Sequence, residues 1–156
     1  MSATDSKTIR KNLKAKGITS RQVSVRNSSY SMGSSVYVTI KDPTVPFDLV
    51  EEIAMAEQRV RRCEITHDIL SGGNMFVQVS YSREAEAVLA EPFIAPIAEA
   101  FAKVEGDTLE RVNGTNFFVG RSGGDLELWH NRRVVGHLYQ TDIEGAAFRM
   151  ARLLNA

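Results

Sequence analysis

The repeat of apolar residues switches several times along this chain, and that switching constrains the fold more than any other feature. Apolar side chains at every second position are typical of a half-buried strand, whereas spacings of three and four are typical of an amphipathic helix. The two-residue repeat predicts strands at residues 22–26, 35–41, 75–81, 117–120, 126–130 and 134–139. Helical spacing, with capping and proline signals, predicts helices at residues 7–16, 46–61, 82–90, 96–104 and from 141 onward.

The order of these elements predicts an α+β chain of two small units, each an antiparallel sheet backed by helices. The first unit, residues 1–82, has the order α-β-β-α-β. Residues 83–112 are predicted to form a helical linker that Pro92 and Pro96 interrupt. The second unit, residues 113–156, has the order β-β-β-α, and residues 141–144 read as a capping box at the start of its helix.

Composition narrows the class of protein. The chain has 156 residues and one cysteine, so it can bury a core without disulfides and suits a reducing compartment. No secretory signal or apolar stretch of membrane-spanning length is recognisable, which favours a protein of the host cytoplasm with no membrane partner. Net charge is zero but uneven: residues 1–41 hold eight Lys or Arg against one carboxylate, and residues 42–110 hold five against fourteen. Any basic surface is therefore local.

The basic N-terminal stretch and the hairpin that follows it hold the first candidate binding residues. Cationic side chains there suit phosphates or an acidic protein surface, and exposed tyrosines suit base stacking or a protein interface. The alternative is a solvated helix face beside an ordinary outward-facing strand. The candidates are Lys7, Arg10, Lys11, Lys14, Arg26, Tyr30 and Tyr37.

Residues 27–34, rich in serine, predict a long polar loop at the tip of this hairpin. The hydroxyl and backbone N–H groups of residues 28–35 are suited to hold an anion. The pattern lacks the lysine and the following helix of a P-loop. An ordinary polar loop is the alternative interpretation.

A second predicted hairpin, with its turn at residues 131–132, holds the remaining candidates. Trp129 precedes this turn, Arg132 lies in it and Arg133 follows it. Alternation places Leu128 on one side of the strand and Trp129 on the other. A tryptophan and arginines at an exposed hairpin are typical of a protein interface, and the alternative is a tryptophan packed against the linker helices.

Residues that carry chemistry are sparse. Cys63, Glu64, His67 and Asp68 lie close together, but they supply half of a zinc site at best, and no second Cys/His pair stands elsewhere in the sequence. No G-x-S-x-G nucleophile elbow is present. We therefore expect no metal, no cofactor and no catalysis, with a Cys63 nucleophile left open.

Short motifs in a fixed order run through residues 7–82: IRKNLK at 9–14, VSVR at 23–26, SYS at 29–31 and GSS at 33–35, followed by Val38. In order and spacing they resemble the large polyvalent protein-associated domains of phages and mobile elements, class twenty-nine. The chain departs from that pattern at Val23, where an aromatic residue is usual. The resemblance implies a protein that acts in a host cell around DNA or defence systems, and it implies no catalytic residue.

These observations lead to three functional hypotheses. The first is a phage or mobile-element accessory protein that binds and blocks a host defence protein or nucleoprotein complex, of the CRISPR or restriction kind, without catalysis. The second is a nucleic-acid-binding accessory domain that uses the basic N-terminal face. The third is an enzyme that modifies a host factor. The oligomeric state is left open.

Overall fold

The computed structural model describes residues 2–70 and 72–155, with side chains from Ser6 onward. Over those residues the chain forms four α-helices and seven strands, in two compact units that divide between Ala85 and Glu86. This confirms the predicted α+β class. No helix in this part of the chain is both long and apolar enough to cross a bilayer. In order, the elements are α1 (Ser2–Ala15), β1 (Val23–Tyr30), β2 (Gly33–Ile40), α2 (Phe47–Met55), β3 (Asn74–Tyr81), α3 (Arg83–Ala102), β4 (Glu110–Arg111), β5 (Phe117–Ser122), β6 (Asp125–His130), β7 (Arg133–Leu138) and α4 (Ile143–Leu154).

The sheet of the first unit has the strand order β1-β2-β3 and is mixed. β1 pairs with β2 antiparallel, as predicted, but β2 pairs with β3 in parallel. A fully antiparallel sheet was therefore the wrong expectation for this unit. The reason is the connection: helix α2 lies in the crossover between β2 and β3, and such a crossover returns the chain in the same direction.

The predicted polar loop at residues 27–34 does not exist. Strand pairing continues to Tyr30 and Gly33, so the turn contains only Ser31 and Met32. The serines pair with one another across the two strands, Ser28 with Ser35 for example, and their polarity does not prevent a regular ladder. An anion-binding loop at this position was therefore a wrong interpretation.

Helices α1 and α2 cover one face of this sheet, which we call the inner face. Asn27 on β1 donates a hydrogen bond from Nδ2 to Ser6 Oγ of α1 (3.0 Å), which fixes the helix over the strand. Each buried Val or Ile side chain on this face contributes about 1.5–3 kcal/mol. The core comprises Ile9 and Leu13 of α1, Val23 and Val25 of β1, Val36, Val38 and Ile40 of β2, and Val50 and Ala54 of α2, among others.

The segment between α2 and β3 runs along the edge of β3. The helix predicted to continue to about residue 61 ends at Met55, because Arg59 forms an antiparallel bridge with Met75. Buried Asn74 holds the rest of the segment: its Oδ1 accepts from Arg61 N (2.8 Å) and its Nδ2 donates to Leu70 O (2.7 Å).

Helix α3 is continuous, and the predicted interruption by Pro92 and Pro96 was wrong. Each proline removes one backbone N–H donor from the helix, but burial of Ile97 and Phe101 in the second core offsets that cost. Residues 83–112, predicted to be a linker, therefore contribute to the core of the second unit.

The second sheet has the order β4-β5-β6-β7 and is antiparallel throughout. Its inner face is packed against α3 and α4, and a β-bulge interrupts the pairing of β6 with β7 between Leu128 and Trp129. The short strand β4 was not predicted, since two residues carry no periodicity. The buried residues of this face are Phe117, Val119, Leu126 and Leu128.

The start of α4 differs from the predicted capping box. Asp142, rather than Thr141, is the N-cap, and its Oδ1 accepts from Gly145 N (2.9 Å). Thr141 lies in a preceding 3-10 turn with a φ of 57° and cannot take that place. Leu154, in the last turn of this helix, is half exposed.

Candidate functional site

The face of the first sheet that faces away from α1 and α2 brings together three of the predicted binding residues. We call it the first outer face. Strand register places Arg26 of β1 directly opposite Tyr37 of β2, and Tyr37 opposite Gln78 of β3. Tyr30 lies on the same face of β1, four residues from Arg26. The face comprises Ser24, Arg26, Ser28, Tyr30, Ser35, Tyr37, Thr39, Phe76, Gln78 and Ser80.

The larger polar side chains of the first outer face are exposed, whereas Ser35 between them is buried. Tyr37 is 42% exposed and Tyr30 is 48% exposed. Tyr30 Oη lies 3.3 Å from Ser35 Oγ, which orients the phenol along the sheet. Within residues 6–70 and 72–155, no hydrogen bond or ion pair engages the side chains of Arg26, Tyr37 or Gln78, so these groups are available to a ligand.

The predicted lysines lie on the other side of this unit. Lys7, Lys11 and Lys14 occupy positions i, i+4 and i+7 of α1 and are exposed, because Ile9 and Leu13 turn the opposite side of the helix to the core. We call these three residues the lysine ridge. The sheet lies between the ridge and the tyrosines, so the two do not form one continuous site.

Arg10 has a structural contact. Its Nη2 donates to the carbonyl oxygen of Val25, which ties α1 to β1. Because the guanidinium is engaged within the unit, Arg10 does not belong to the ridge.

The second predicted hairpin also separates its candidate residues. Trp129 lies on the outward face of β6, as alternation predicted. Its Nε1 donates to Oε2 of Glu127 (3.2 Å), which lies two residues earlier on the same strand. Arg132 occupies the turn with a φ of 63°. Arg133 pairs with His130 across the two strands, and the ring of His130 stacks on buried Phe117, with 4.2 Å between the ring centres. Arg133 therefore lies on the opposite side of the sheet from Trp129.

A hydrogen-bonded network that sequence reasoning missed surrounds Trp129. His137 Nε2 lies 2.9 Å from Asp125 Oδ2, and His137 Nδ1 lies 3.7 Å from Glu127 Oε1. The N–H of Gln140 donates to Asp125 Oδ1, and this bond together with the bond to His137 lowers the pKa of Asp125. Alternation alone places Asp125, Glu127 and Trp129 on one face, but the bulged register with β7 that brings His137 to them cannot be read from the sequence.

Cys63 has a thiol whose pKa is lowered by the turn that follows it. Hydrogen bonds from the Thr66 hydroxyl, the Thr66 N–H and the Ile65 N–H lower its pKa from 9.0 to about 7. In the part of the chain that the structure describes, no three His, Cys, Asp or Glu side chains are placed to hold a metal ion together. The backbone N–H of His67 donates to the Cys63 carbonyl oxygen (3.0 Å), which closes this turn.

No family model, no curated protein and no solved structure matches the chain. The resemblance of residues 7–82 to the polyvalent protein-associated domains therefore stays a prediction. The structure itself establishes an α+β chain of two units, each with a small sheet packed against helices.

Proposed function

We propose that this chain is a binding protein that covers a partner protein with its first outer face. The observation that carries the proposal is the exposed row Arg26–Tyr37–Gln78, whose side chains have no hydrogen-bond or ion-pair partner among the described residues. Exposed Tyr30, whose hydroxyl contacts Ser35 Oγ, lies beside this row. Tyrosine and arginine dominate the centres of protein interfaces, because each supplies a large contact area together with a hydrogen-bonding tip. A ring of Ser and Thr around them matches the polar rim of such an interface.

Charge favours a protein over a nucleic acid at this face. Arg26 is the one charged residue among those that form it. A nucleic-acid site neutralises several phosphates, and most of its affinity comes from those contacts. The cations that could do so, the lysine ridge, lie on the far side of the sheet.

The resemblance at residues 7–82 supports a choice of partner. We propose a host defence protein or nucleoprotein complex, of the CRISPR or restriction kind, blocked by a phage or mobile-element protein. Inhibition by occlusion needs shape and a few anchor residues and no chemistry, which fits a face of tyrosine, arginine and serine.

The test is protection of incoming DNA. Bacteria with an active CRISPR or restriction system are transformed with a targeted plasmid while they express this chain or the double variant Arg26→Ala/Tyr37→Ala. We expect the original chain to restore transformation at least about tenfold, and the double variant to lose that effect, because two anchor residues together carry more than 1.4 kcal/mol of binding. The matched control, Lys11→Ala/Lys14→Ala, should keep the effect. Restoration that survives the loss of Arg26 and Tyr37 would remove the first outer face from the account, and no restoration against either kind of system would remove the anti-defence function.

The lysine ridge favours a second candidate, a nucleic-acid-binding accessory role. Three exposed lysines at i, i+4 and i+7 form one line along α1 and suit successive phosphates. Duplex binding through three contacts predicts a slope of about −2.7 for log K against log salt concentration, and each Lys→Ala change should reduce that slope by about 0.9. A mobility-shift titration at three salt concentrations measures it, and the absence of any shift at low salt would exclude this candidate.

A further inference from the structure

The outward face of the second sheet, which we call the second outer face, carries a contiguous apolar surface. Strand register places Phe118 of β5 opposite Trp129 of β6, and Trp129 opposite Val134 of β7. Leu109 lies beside Trp129 over Gly120, and Tyr139, which is 76% exposed, contacts the ring of His137. Exposed apolar surface that is continuous across an open sheet marks a site of association.

Close packing fixes the tryptophan at the centre of this surface. A Cβ on Gly120 would lie 2.6 Å from Leu109 Cδ2 and 3.5 Å from Trp129 Nε1, so the absence of a side chain at this position lets Leu109 and the indole lie over the strand. Glu127 accepts the indole N–H and holds the ring in one orientation. The aromatic surface is therefore formed before any partner binds.

Carboxylates without a strong cationic partner border this surface. Asp107 and Glu127 line a cavity of about 420 Å³ together with Leu109 and Trp129. The one basic side chain within 4.0 Å of the Glu127 carboxylate in the described chain is the imidazole of His137, at 3.7 Å, and this ring lies closer to Asp125.

Two arginines of this region, Arg121 at the cavity and Arg111 opposite Phe118, each make contacts within the unit. Arg121 also borders the cavity, but its guanidinium lies over the ring of Phe101, 4.4 Å from the ring centre. Arg111 donates from Nε to Thr115 O (2.6 Å) and from Nη2 to Asn116 Oδ1 (3.3 Å). With two carboxylates, Asp107 and Glu127, against the one guanidinium of Arg121, the lining of the cavity has a net negative charge.

We propose that the second outer face docks a basic segment of a partner protein, with an arginine or lysine side chain that stacks on Trp129 and pairs with Glu127. A cation over an indole and a charge-assisted hydrogen bond to a carboxylate are complementary contacts, and one guanidinium can make both. Carboxylates at the rim repel a nucleic acid. This surface is separate from the first outer face, and its test does not depend on the function proposed for that face.

The test uses the only tryptophan of the chain as its reporter. An acetylated and amidated hexa-arginine peptide is titrated into the protein while the fluorescence of Trp129 is recorded, and a hexa-citrulline peptide serves as the uncharged probe of the same shape. We expect a saturable change with hexa-arginine and at least tenfold weaker binding of hexa-citrulline. Glu127→Gln should weaken the hexa-arginine complex about fivefold, the effect of a partly exposed ion pair, and Asp107→Asn should weaken it in the same direction.

Two control variants make the result specific. Glu99→Gln removes an exposed carboxylate on α3 and should leave the affinity unchanged, and so should Arg26→Ala/Tyr37→Ala on the first outer face. Equal affinity of Glu127→Gln and the original chain, or equal binding of the citrulline peptide, would overturn the proposal. A concentration-dependent dimer in light scattering that Glu127→Gln abolishes would assign the face to a second copy of the chain and would also overturn it.

Discussion

The two outer faces differ in how their polar groups are used. On the first, Arg26, Tyr37 and Gln78 lie in a row across three strands, and no described contact engages their side chains. On the second, Trp129, Glu127, His137 and Asp125 are joined by contacts of 2.9 to 3.7 Å. Polar side chains that have no partners within the chain can form hydrogen bonds or ion pairs only with solvent or with a ligand. A face with a completed network is rigid, and it offers a ligand mainly its aromatic surface and its charge.

The largest expected effect tests the scaffold of the first outer face. A Cβ at residue 33 would lie 2.5 Å from the Asn74 carbonyl oxygen of the parallel neighbour strand. Backbone cannot move away as a side chain can, so Gly33→Ala should lower the free energy of unfolding by about 2 kcal/mol. Urea denaturation measures the change. Gly124→Ala, where nothing lies within 4 Å of the new Cβ, is the matched control and should leave stability within about 0.5 kcal/mol. Equal effects of the two changes would contradict the close approach of β2 and β3.

The next effect concerns the helix behind the second sheet. Asp142→Ala removes the N-cap hydrogen bond to Gly145 N and should cost about 1 kcal/mol. Thr141→Ala should cost less than half of that, because Thr141 lies in the turn before the helix. Thermal unfolding of both variants decides between them, and a larger loss for Thr141→Ala would restore the capping box that the sequence predicted.

A smaller effect is expected at the glycine of the second outer face. The atom that a Cβ at residue 120 would meet at 2.6 Å is Leu109 Cδ2, the far end of a flexible and partly exposed side chain. Gly120→Ala should therefore change stability by less than about 0.5 kcal/mol, since the gain in strand propensity offsets the displacement of Leu109. Urea denaturation measures this change in the free energy of unfolding. A loss as large as that of Gly33→Ala would show that the second outer face accepts a Cβ no better than the first sheet does.

The smallest expected effect is a pH dependence in the reactivity of the Cys63 thiol, in the first unit. With its pKa lowered to about 7, Cys63 should react with iodoacetamide at half its maximal rate near pH 7. Thr66→Val removes the largest cause of the shift and should slow the reaction at pH 7 severalfold, whereas Thr66→Ser should keep it. Because the folded thiol has the lower pKa, its contribution to stability is present at alkaline pH and is lost as the pH falls through 7. A thiol that reacts only near pH 9 in the original chain would contradict the turn geometry.

Much of the fold could be predicted from periodicity, and most of the candidate site could not. Alternation at 35–41 and 126–130 identified strands and the outward direction of Trp129, because burial of one face imposes that repeat. Arg26 and Tyr37 lie opposite each other because the turn between their strands contains only Ser31 and Met32. A serine-rich sequence predicts a loop even where its residues pair as strands, so this register could not be predicted. The separation of the lysine ridge from the tyrosines depends on which face of the sheet α1 covers. Neither fact is local in sequence.

The most direct measurement of the central claim is hydroxyl-radical footprinting of the complex between this chain and the partner proposed for its first outer face. The oxidation of Tyr30 and Tyr37 on the first outer face is compared in the free and the bound chain by mass spectrometry, with Arg26→Ala/Tyr37→Ala as the non-binding control. The account predicts strong protection of both tyrosines on binding. Tyrosines that oxidise equally in the free and the bound chain would contradict it.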